Sequence, residues 1–277
     1  MLPVARIHLA TVDSTNAYAR ANFAAFDAGA LTVVSADEQT AGRGRGARAW
    51  ASSADDIKLT FAFRVPPARV ATAYLLSPLL SLAAVRALAR AGVRGAGIKW
   101  PNDVVLGGAR KVGGVLCEME GAPGGGGGFF AALGIGLNVN STPAALGVAR
   151  AVWPLTTLRA EAPGGAPLDA AALADALVGS FRGALAEWAR DGWAPFRDEY
   201  AAASVLLGRR VRFAADAPGA GAAARVVEGV AAGFRDDGAL LLDAGAGAPH
   251  EAFLAGEVAG IELADGAPFV EGDASAR

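Results

Sequence analysis

The chain has 277 residues, 53% of them hydrophobic, so it can bury a sizeable core, which excludes wholesale disorder. Its 25 basic residues nearly balance its 27 acidic ones, which argues against a protein that mainly coats nucleic acid or an acidic membrane surface. One cysteine, Cys117, and two histidines exclude an internal disulfide framework and a multi-cysteine zinc site, and they disfavour a histidine-rich metal centre.

The sequence predicts a cytoplasmic protein without a membrane partner. Residues 1–10 lack the charged-then-apolar layout of a signal peptide. The apolar stretch over residues 71–91 is interrupted by Ser77, Pro78 and Arg86, which favours a core helix over a membrane span. Lysine occurs only at positions 58, 99 and 111, so each lysine is a candidate for a role that needs a compact charge.

The first two hundred residues predict strands mixed with helices. A helix begins at Ser14 or Thr15 and runs to about residue 23. Residues 31–36 and 57–65 predict strands, the second half-buried because its apolar residues alternate. Ser77 and Pro78 predict the start of a helix that stops near Gly92. Further strands are expected over 112–119 and 129–139, followed by a helix over 168–188 capped by Asp169 and a short helix through Trp193, Phe196 and Tyr200.

The pattern changes after about residue 205. Short strands are predicted over 209–213, 225–234, 239–242 and 258–263, and Asp236-Asp237-Gly238 predicts a tight turn. No helical periodicity is visible there. We therefore expect two domains, residues 1–205 and a small β-barrel over residues 206–277.

Two N-terminal segments combine residues suited to ligand binding. Asp13-Ser14-Thr15-Asn16 is either a plain N-cap cluster or a set of short donors and acceptors beside free helix N–H groups. Residues 39–50, QTAGRGRGARAW, alternate glycine with arginine, so backbone N–H groups and guanidinium groups can surround an anion. The alternative is a solvated basic loop or a nucleic-acid contact. The segment is not a Walker A loop, because no Gly-Lys-Ser/Thr follows.

Two further segments lie in the second hundred residues. Residues 99–103 read KWPND, and Lys111-Val112-Gly113-Gly114 follows, whose paired glycines let a backbone or a ligand approach closely. Residues 134–140 read GIGLNVN, and we expect Asn138 and Asn140 to share one face of a strand.

In this order, the four segments resemble the biotin protein ligase family, and the resemblance extends over residues from about 8 to 265. It implies an α+β fold: a mixed, largely antiparallel sheet with flanking helices, as in class II synthetases, plus a C-terminal SH3-like β-barrel. One departure is visible. The family's loop continues with another Arg and then Gly, where this chain has Gly46 and Ala47.

The resemblance implies ATP-dependent attachment of biotin to a lysine of the biotin carboxyl carrier protein of acetyl-CoA carboxylase, through biotinyl-5′-AMP. ATP and Mg²⁺ enter as co-substrate and metal, biotin is the substrate, and no tightly bound cofactor is implied. Homodimerisation through sheet edges is a possibility. Asp13 lies so near residue 1 that we expect no N-terminal DNA-binding module and hence no specific DNA partner.

Residue roles follow from the same resemblance. Catalysis is expected from Lys111, Arg45 and Asp103, since cations must offset the repulsion between a carboxylate and a phosphate. Biotin is expected to contact Ser14, Thr15, Asn16, Gln39, Arg43, Gly44, Arg45, Lys111 and Gly114. ATP is expected to contact Arg45, Arg48, Trp50, Asn102, Lys111, Asn138 and Asn140. Asp103 either binds Mg²⁺ through hard oxygen atoms or helps to deprotonate the carrier lysine.

Three alternatives remain at this stage. Lipoate ligases and octanoyltransferases share the fold, but the latter use a catalytic cysteine, and Cys117 lies within an apolar strand. A biotin-responsive transcriptional repressor would need an added DNA-binding module. A protein that only binds biotin would have no use for residues suited to phosphate.

Overall fold

The computed structural model describes residues 1–46, 48–108, 110–121, 128–142, 146, 154–215, 225–245, 247, 249–262 and 270–271. The first sheet contains β1 (Val4–Val12), β2 (Leu31–Gln39), β3 (Ile57–Val65), β4 (Ala96–Lys99), β5 (Asp103–Leu106), β6 (Arg110–Gly121) and β7 (Phe129–Leu137). The helices are α1 (Thr15–Asn22), α2 (Leu76–Arg90), α3 (Leu158–Glu161), α4 (Ala170–Asp191) and α5 (Arg197–Ala203). Short 3₁₀ helices occupy Phe23–Ala25, Pro67–Leu75, Pro163–Gly165 and Ala194–Phe196.

The seven strands form one mixed sheet in the order β1-β2-β3-β7-β6-β5-β4. Among its described strand pairs, only β1 and β2 run parallel. The predicted mixed, largely antiparallel sheet with flanking helices is confirmed. Strand β1 was not predicted, because Arg6 and His8 break up a short apolar segment on the outermost strand of the sheet.

Helices cover both faces of this sheet. Residues of α2 and α4 join the large core on one face, and α1 packs on the other through Ala19, with Phe23 just beyond it. The central strand β3 is therefore buried on both faces, with only Arg64 exposed. The prediction of a half-buried strand was wrong, because α1 covers Thr60 and Ala62 on the second face and the segment before β3 covers Lys58.

The helix signals were correct where the capping side chain lies next to a loop. Ser14 accepts a hydrogen bond from the Ala17 amide, and Asp169 accepts one from the Ala172 amide, as N-caps do. The Ser77 N-cap was wrong, because the 3₁₀ helix Pro67–Leu75 runs directly into α2 and leaves Ser77 inside the helix. Gly92, with φ +80°, follows the end of α2 as expected.

By length and composition alone, the continuous helical segment Pro67–Arg90 would be able to cross a membrane. In this fold, 56% of its most apolar 18-residue window is buried inside the protein. Its apolar residues, Leu79 and Leu80 among them, belong to the core between α2 and the sheet.

A second sheet contains β8 (Arg210–Ala214), β9 (Val226–Phe234), β10 (Leu240–Asp243), β11 (Glu251–Phe253), β12 (Glu257–Ile261) and β13 (Val270–Glu271). Its order is β11-β10-β9-β8-β12-β13, and its core residues continue the main core. Four of these strands and the turn at Gly238, with φ +81°, match the predictions. The SH3-like barrel and the domain boundary at residue 205 stay predictions.

Candidate functional site

A cavity of about 490 Å³ opens on the α1 face of the first sheet, under the segment that carries the alternating glycines and arginines. It collects almost all of the predicted site residues from the four motifs. The predicted residues that line it are Ser14, Thr15, Asn16, Gln39, Arg43, Gly44, Arg45, Arg48, Trp50, Asn102, Asp103, Lys111, Gly114 and Asn138. Asn140 is not among the lining residues.

The cavity floor is a row of paired residues across four strands. Lys58 of β3 pairs with Gly136 of β7, Gly136 pairs with Gly114 of β6, and Gly114 pairs with Asp103 of β5. The glycines leave room for what lies above them. A Cβ at Gly136 would lie 2.3 Å from Trp50 Nε1, and a Cβ at Gly114 would lie 3.2 Å from Lys111 Nζ.

One end of the cavity holds a network of hydroxyl and amide groups. The backbone N–H and the hydroxyl of Thr15 both donate to Gln39 Oε1, at 2.9 and 3.1 Å. Thr60, a residue absent from the predictions, lies 2.8 Å from the Thr15 hydroxyl and 2.6 Å from Asn16 Oδ1. Thr60 is two residues from Lys58 on the same face of β3, so only the register of the sheet connects it with Thr15 and Asn16.

Glu118 of β6 ties this polar network to the glycine–arginine loop. Its carboxylate accepts from Asn16 Nδ2 at 3.0 Å, from Arg20 Nη1 at 2.8 Å and from Arg43 Nη2 at 2.6 Å. The sequence offered no signal for Glu118, because its partners are 75 to 102 positions away. Gly46 of the loop has φ +66°, a conformation that glycine adopts more readily than the family's arginine.

In the wall of the cavity, one carboxylate lies between two ammonium groups. Asp103 Oδ1 is 2.6 Å from Lys111 Nζ, and Asp103 Oδ2 is 3.1 Å from Lys99 Nζ. Burial by itself would raise the pKa of Asp103, but the charges and hydrogen bonds of Lys111 and Lys99 outweigh it and hold that pKa well below its usual range. Burial lowers the pKa of Lys99, and Asp103 opposes this shift.

The second sheet completes the cavity wall. Glu257 and Val258 line the cavity, Arg48 Nη1 lies 2.6 Å from Glu257 Oε1, and Arg45 Nη2 donates to the Gly256 carbonyl at 3.1 Å. Lys99 also donates to the Val258 carbonyl, at 3.5 Å. Sequence analysis missed Glu257 and Val258, because the residues they contact are more than 150 positions earlier in the chain.

The two asparagines of the fourth motif lie beyond the end of β7, so the expectation that they share a face of a strand was wrong. Asn138 is buried and donates to the Thr156 carbonyl, while its Oδ1 finds no donor among the described residues. Asn140 exchanges two hydrogen bonds with the backbone of Leu168. Asn138 therefore lines the cavity with a buried acceptor that has no partner among the described residues, and Asn140 orders the loop before α4.

Asp103 does not fit the role of a metal ligand in this arrangement, because each of its oxygen atoms already accepts from a lysine. Within the part of the chain that the structure describes, no group of three acidic, histidine or cysteine residues could hold a metal ion.

Fold and cavity together define a binding protein for a ligand with a polar head and an anionic group. The Thr15 network suits the polar head, and Lys111 and Arg45 suit the anion.

The Biotin/lipoate A/B protein ligase family model matches residues 9–140. The chain is 35% identical to the biotin–[acetyl-CoA-carboxylase] ligase of Paracoccus denitrificans, over 86% of this chain and 94% of that protein. It is 34% identical to the ligase of the same name from Mycobacterium tuberculosis, over 77% and 73%. The biotin protein ligase of Aquifex aeolicus in complex with biotin and ATP superposes with a TM-score of 0.71 at 25% identity, over 91% and 97%. The chain belongs to the biotin/lipoate A/B protein ligase family, and within it to the biotin protein ligases.

Proposed function

We propose that the protein activates biotin with ATP, forms biotinyl-5′-AMP and pyrophosphate, and transfers the biotinyl group to a lysine of the carrier domain of acetyl-CoA carboxylase. One observation carries this proposal. Lys111 Nζ lies over Gly114, in a cavity that Thr15, Gln39 and Asn138 also line. A carboxylate and a nucleotide phosphate can therefore meet at a cation.

In the first step, the carboxylate oxygen of biotin attacks the α-phosphorus of ATP and pyrophosphate leaves. Both reactants are anionic, so fixed cations lower the barrier by reducing their repulsion. An ammonium has three donors, and Asp103 occupies one donor of Lys111, so the others are able to bridge the two reacting groups. Arg45 is bound to two neutral acceptors, Asn102 Oδ1 and the Gly256 carbonyl, and its charge is available to the same anions.

In the second step, the carrier lysine attacks the carbonyl carbon of the mixed anhydride and AMP leaves. Asp103 is a poor base for this lysine, because its pKa is held well below its usual range and both of its oxygen atoms are occupied. We infer that Asp103 orients Lys111 instead. Magnesium enters bound to the phosphates of ATP and neutralises part of their charge, so it needs no carboxylate of this chain.

The choice of biotin over lipoate rests on the relatives and is open to a direct test. An octanoyltransferase would use its cysteine as a thiolate, but burial raises the pKa of Cys117 to about 12. Biotin-dependent exchange of labelled pyrophosphate into ATP, run in parallel with lipoate, tests the first step. We expect exchange with biotin and none with lipoate, followed by transfer to a purified carrier domain. Exchange with lipoate alone would contradict the proposal.

A further inference from the structure

All three lysines of the chain line this one cavity. Lys99 and Lys111 share Asp103, as described above. Lys58 has no role in that cluster, in the Thr15 network or in the sequence motifs. Lys58 is only 3% exposed, so its buried charge needs an explanation of its own.

The ammonium of Lys58 has a single hydrogen-bond acceptor in the described structure, the carbonyl of Ser53. It forms no ion pair with any described carboxylate. Asp56, the acidic residue with the strongest influence on it, already accepts from the amides of Ser53, Val139 and Ser141. Two of the three donors of Lys58 are therefore unused, although burial of an unpaired ammonium is costly and lowers its pKa.

The register of the sheet places Lys58 close to residues that we expect to contact ATP. Lys58 pairs with Gly136, which lies against the Trp50 indole, and Asn138 follows Gly136 by two residues. Thr60, two residues along β3 in the other direction, belongs to the polar network of Thr15 and Asn16. The same face of β3 therefore contributes a cation to the cavity wall and, two residues away, a hydroxyl to the polar network.

The charges along the cavity wall support an anionic partner for Lys58. Arg48 is neutralised by Glu257, and Arg43 by Glu118. Lys99 and Lys111 share one carboxylate, while Arg45 and Lys58 contact neutral acceptors in the described structure. The resulting excess of positive charge matches magnesium-bound ATP together with one carboxylate.

We propose that Lys58, in addition to Lys111 and Arg45, is a cation of the site and that it binds a negatively charged oxygen of the nucleotide. This inference rests on the proposed function, because that function supplies ATP as the ligand. It adds a specificity-determining residue for the nucleotide. The alternative is that Lys58 only anchors the segment before β3 through the Ser53 carbonyl.

Lys58→Met tests the proposal, because methionine keeps an unbranched side chain only one atom shorter and removes the charge. We expect the KM for ATP in pyrophosphate exchange to rise at least about tenfold, the loss typical of one charge-assisted hydrogen bond. The Kd for biotin, measured without nucleotide, is expected to change less than about twofold. Lys58→Gln keeps a neutral donor and is expected to be intermediate.

Two further variants serve as controls on the same strand. Arg64→Met removes an equal charge from the exposed position of β3 and is expected to leave the KM for ATP unchanged. Thr60→Val is expected to weaken the binding of biotin and to leave the KM for ATP unchanged, which is the reverse of the result expected for Lys58→Met.

An unchanged KM for ATP in Lys58→Met would overturn the proposal, and so would an equal loss of affinity for biotin and ATP, which indicates an anchoring role. The thermal shift induced by ATP alone gives an independent measurement. A smaller ATP-induced shift of the Tm in Lys58→Met than in the unaltered protein supports the proposal, and this result does not depend on which carboxylic acid the enzyme activates. Failure of the unaltered protein to exchange pyrophosphate with biotin would contradict the proposed function alone.

Discussion

Replacement of Asp103 by asparagine is expected to destabilise the fold strongly, although the two side chains have nearly the same shape. Asp103 is 6% exposed and lies within 3.1 Å of the ammonium groups of both Lys99 and Lys111. Asparagine offers one acceptor oxygen, and its amide hydrogens would face the other ammonium. Lys99 is itself only 3% exposed, so solvent screens little of its charge once the carboxylate is lost.

The expected magnitude follows from the burial of the cluster. Removal of one partner from a buried ion pair costs about 3–5 kcal/mol, because it leaves an uncompensated charge inside the protein. For a chain of this size, each kcal/mol lowers the Tm by about 2–4 °C. We expect Asp103→Asn to lower the Tm by about 10 °C, measured by thermal unfolding at neutral pH.

A double variant separates charge from packing. Lys99→Met in the Asp103→Asn background removes one of the two ammonium charges that shared the carboxylate, so it is expected to recover at least half of the lost stability. A loss below about 1 kcal/mol in the single variant would refute the reasoning. So would a double variant that is no more stable than the single one.

The same carboxylate predicts a pH dependence. The pKa of Asp103 is lower in the folded than in the unfolded state, so the unfolded chain binds more protons between the two values and stability rises with pH there. The contribution of Asp103 is complete above its unfolded pKa of about 3.9 and is lost as the pH falls below it. The stability difference between the unaltered protein and Asp103→Asn is expected to shrink below about pH 4.

Four further predictions concern the cavity, the exposed face of α4 and Cys117. Lys111→Ala is expected to lower pyrophosphate exchange about a hundredfold and biotin affinity far less, because its charge matters most as the new bond forms; near-normal exchange would contradict its role. Gly136→Ala is expected to displace the Trp50 indole, because the new Cβ would overlap it, and to weaken ligand binding at least about tenfold. Gly179 lies on α4 with open space around it, so Gly179→Ala is expected to stabilise the protein by up to about 1 kcal/mol in urea unfolding. Cys117 is expected to react with iodoacetamide at pH 8 far more slowly in the native than in the urea-unfolded protein, since burial raises the pKa of its thiol to about 12; equal rates would refute this.

Features of the chain were predictable from the sequence where they depend on residues a few positions apart. Ser14 and Asp169 cap their helices through hydrogen bonds to amides three residues away, and such contacts depend only on neighbouring positions. The paired glycines of β6 predicted the close approach of a backbone or a ligand, and a Cβ at Gly113 would lie 2.8 Å from the Gly136 carbonyl oxygen. The order of four motifs was sufficient to identify the family.

What each charge does was decided by tertiary structure. The sequence left Asp103 as a metal ligand or a base, and only the pairing of β4, β5 and β6 shows that its oxygen atoms are shared by two lysines. Thr60 and Glu118 reach the site by strand register, and Glu257 reaches it from the second sheet.

The physical reason is the range of each interaction. A helix cap or a turn depends on residues a few positions apart, so their order in the chain determines it. The pKa of a carboxylate and the fate of a buried ammonium depend on every charge and dipole within several ångströms. Those neighbours come from strands and sheets distant in the sequence, so only the folded chain determines which charges are paired and which, as at Lys58, have no carboxylate partner among the described residues.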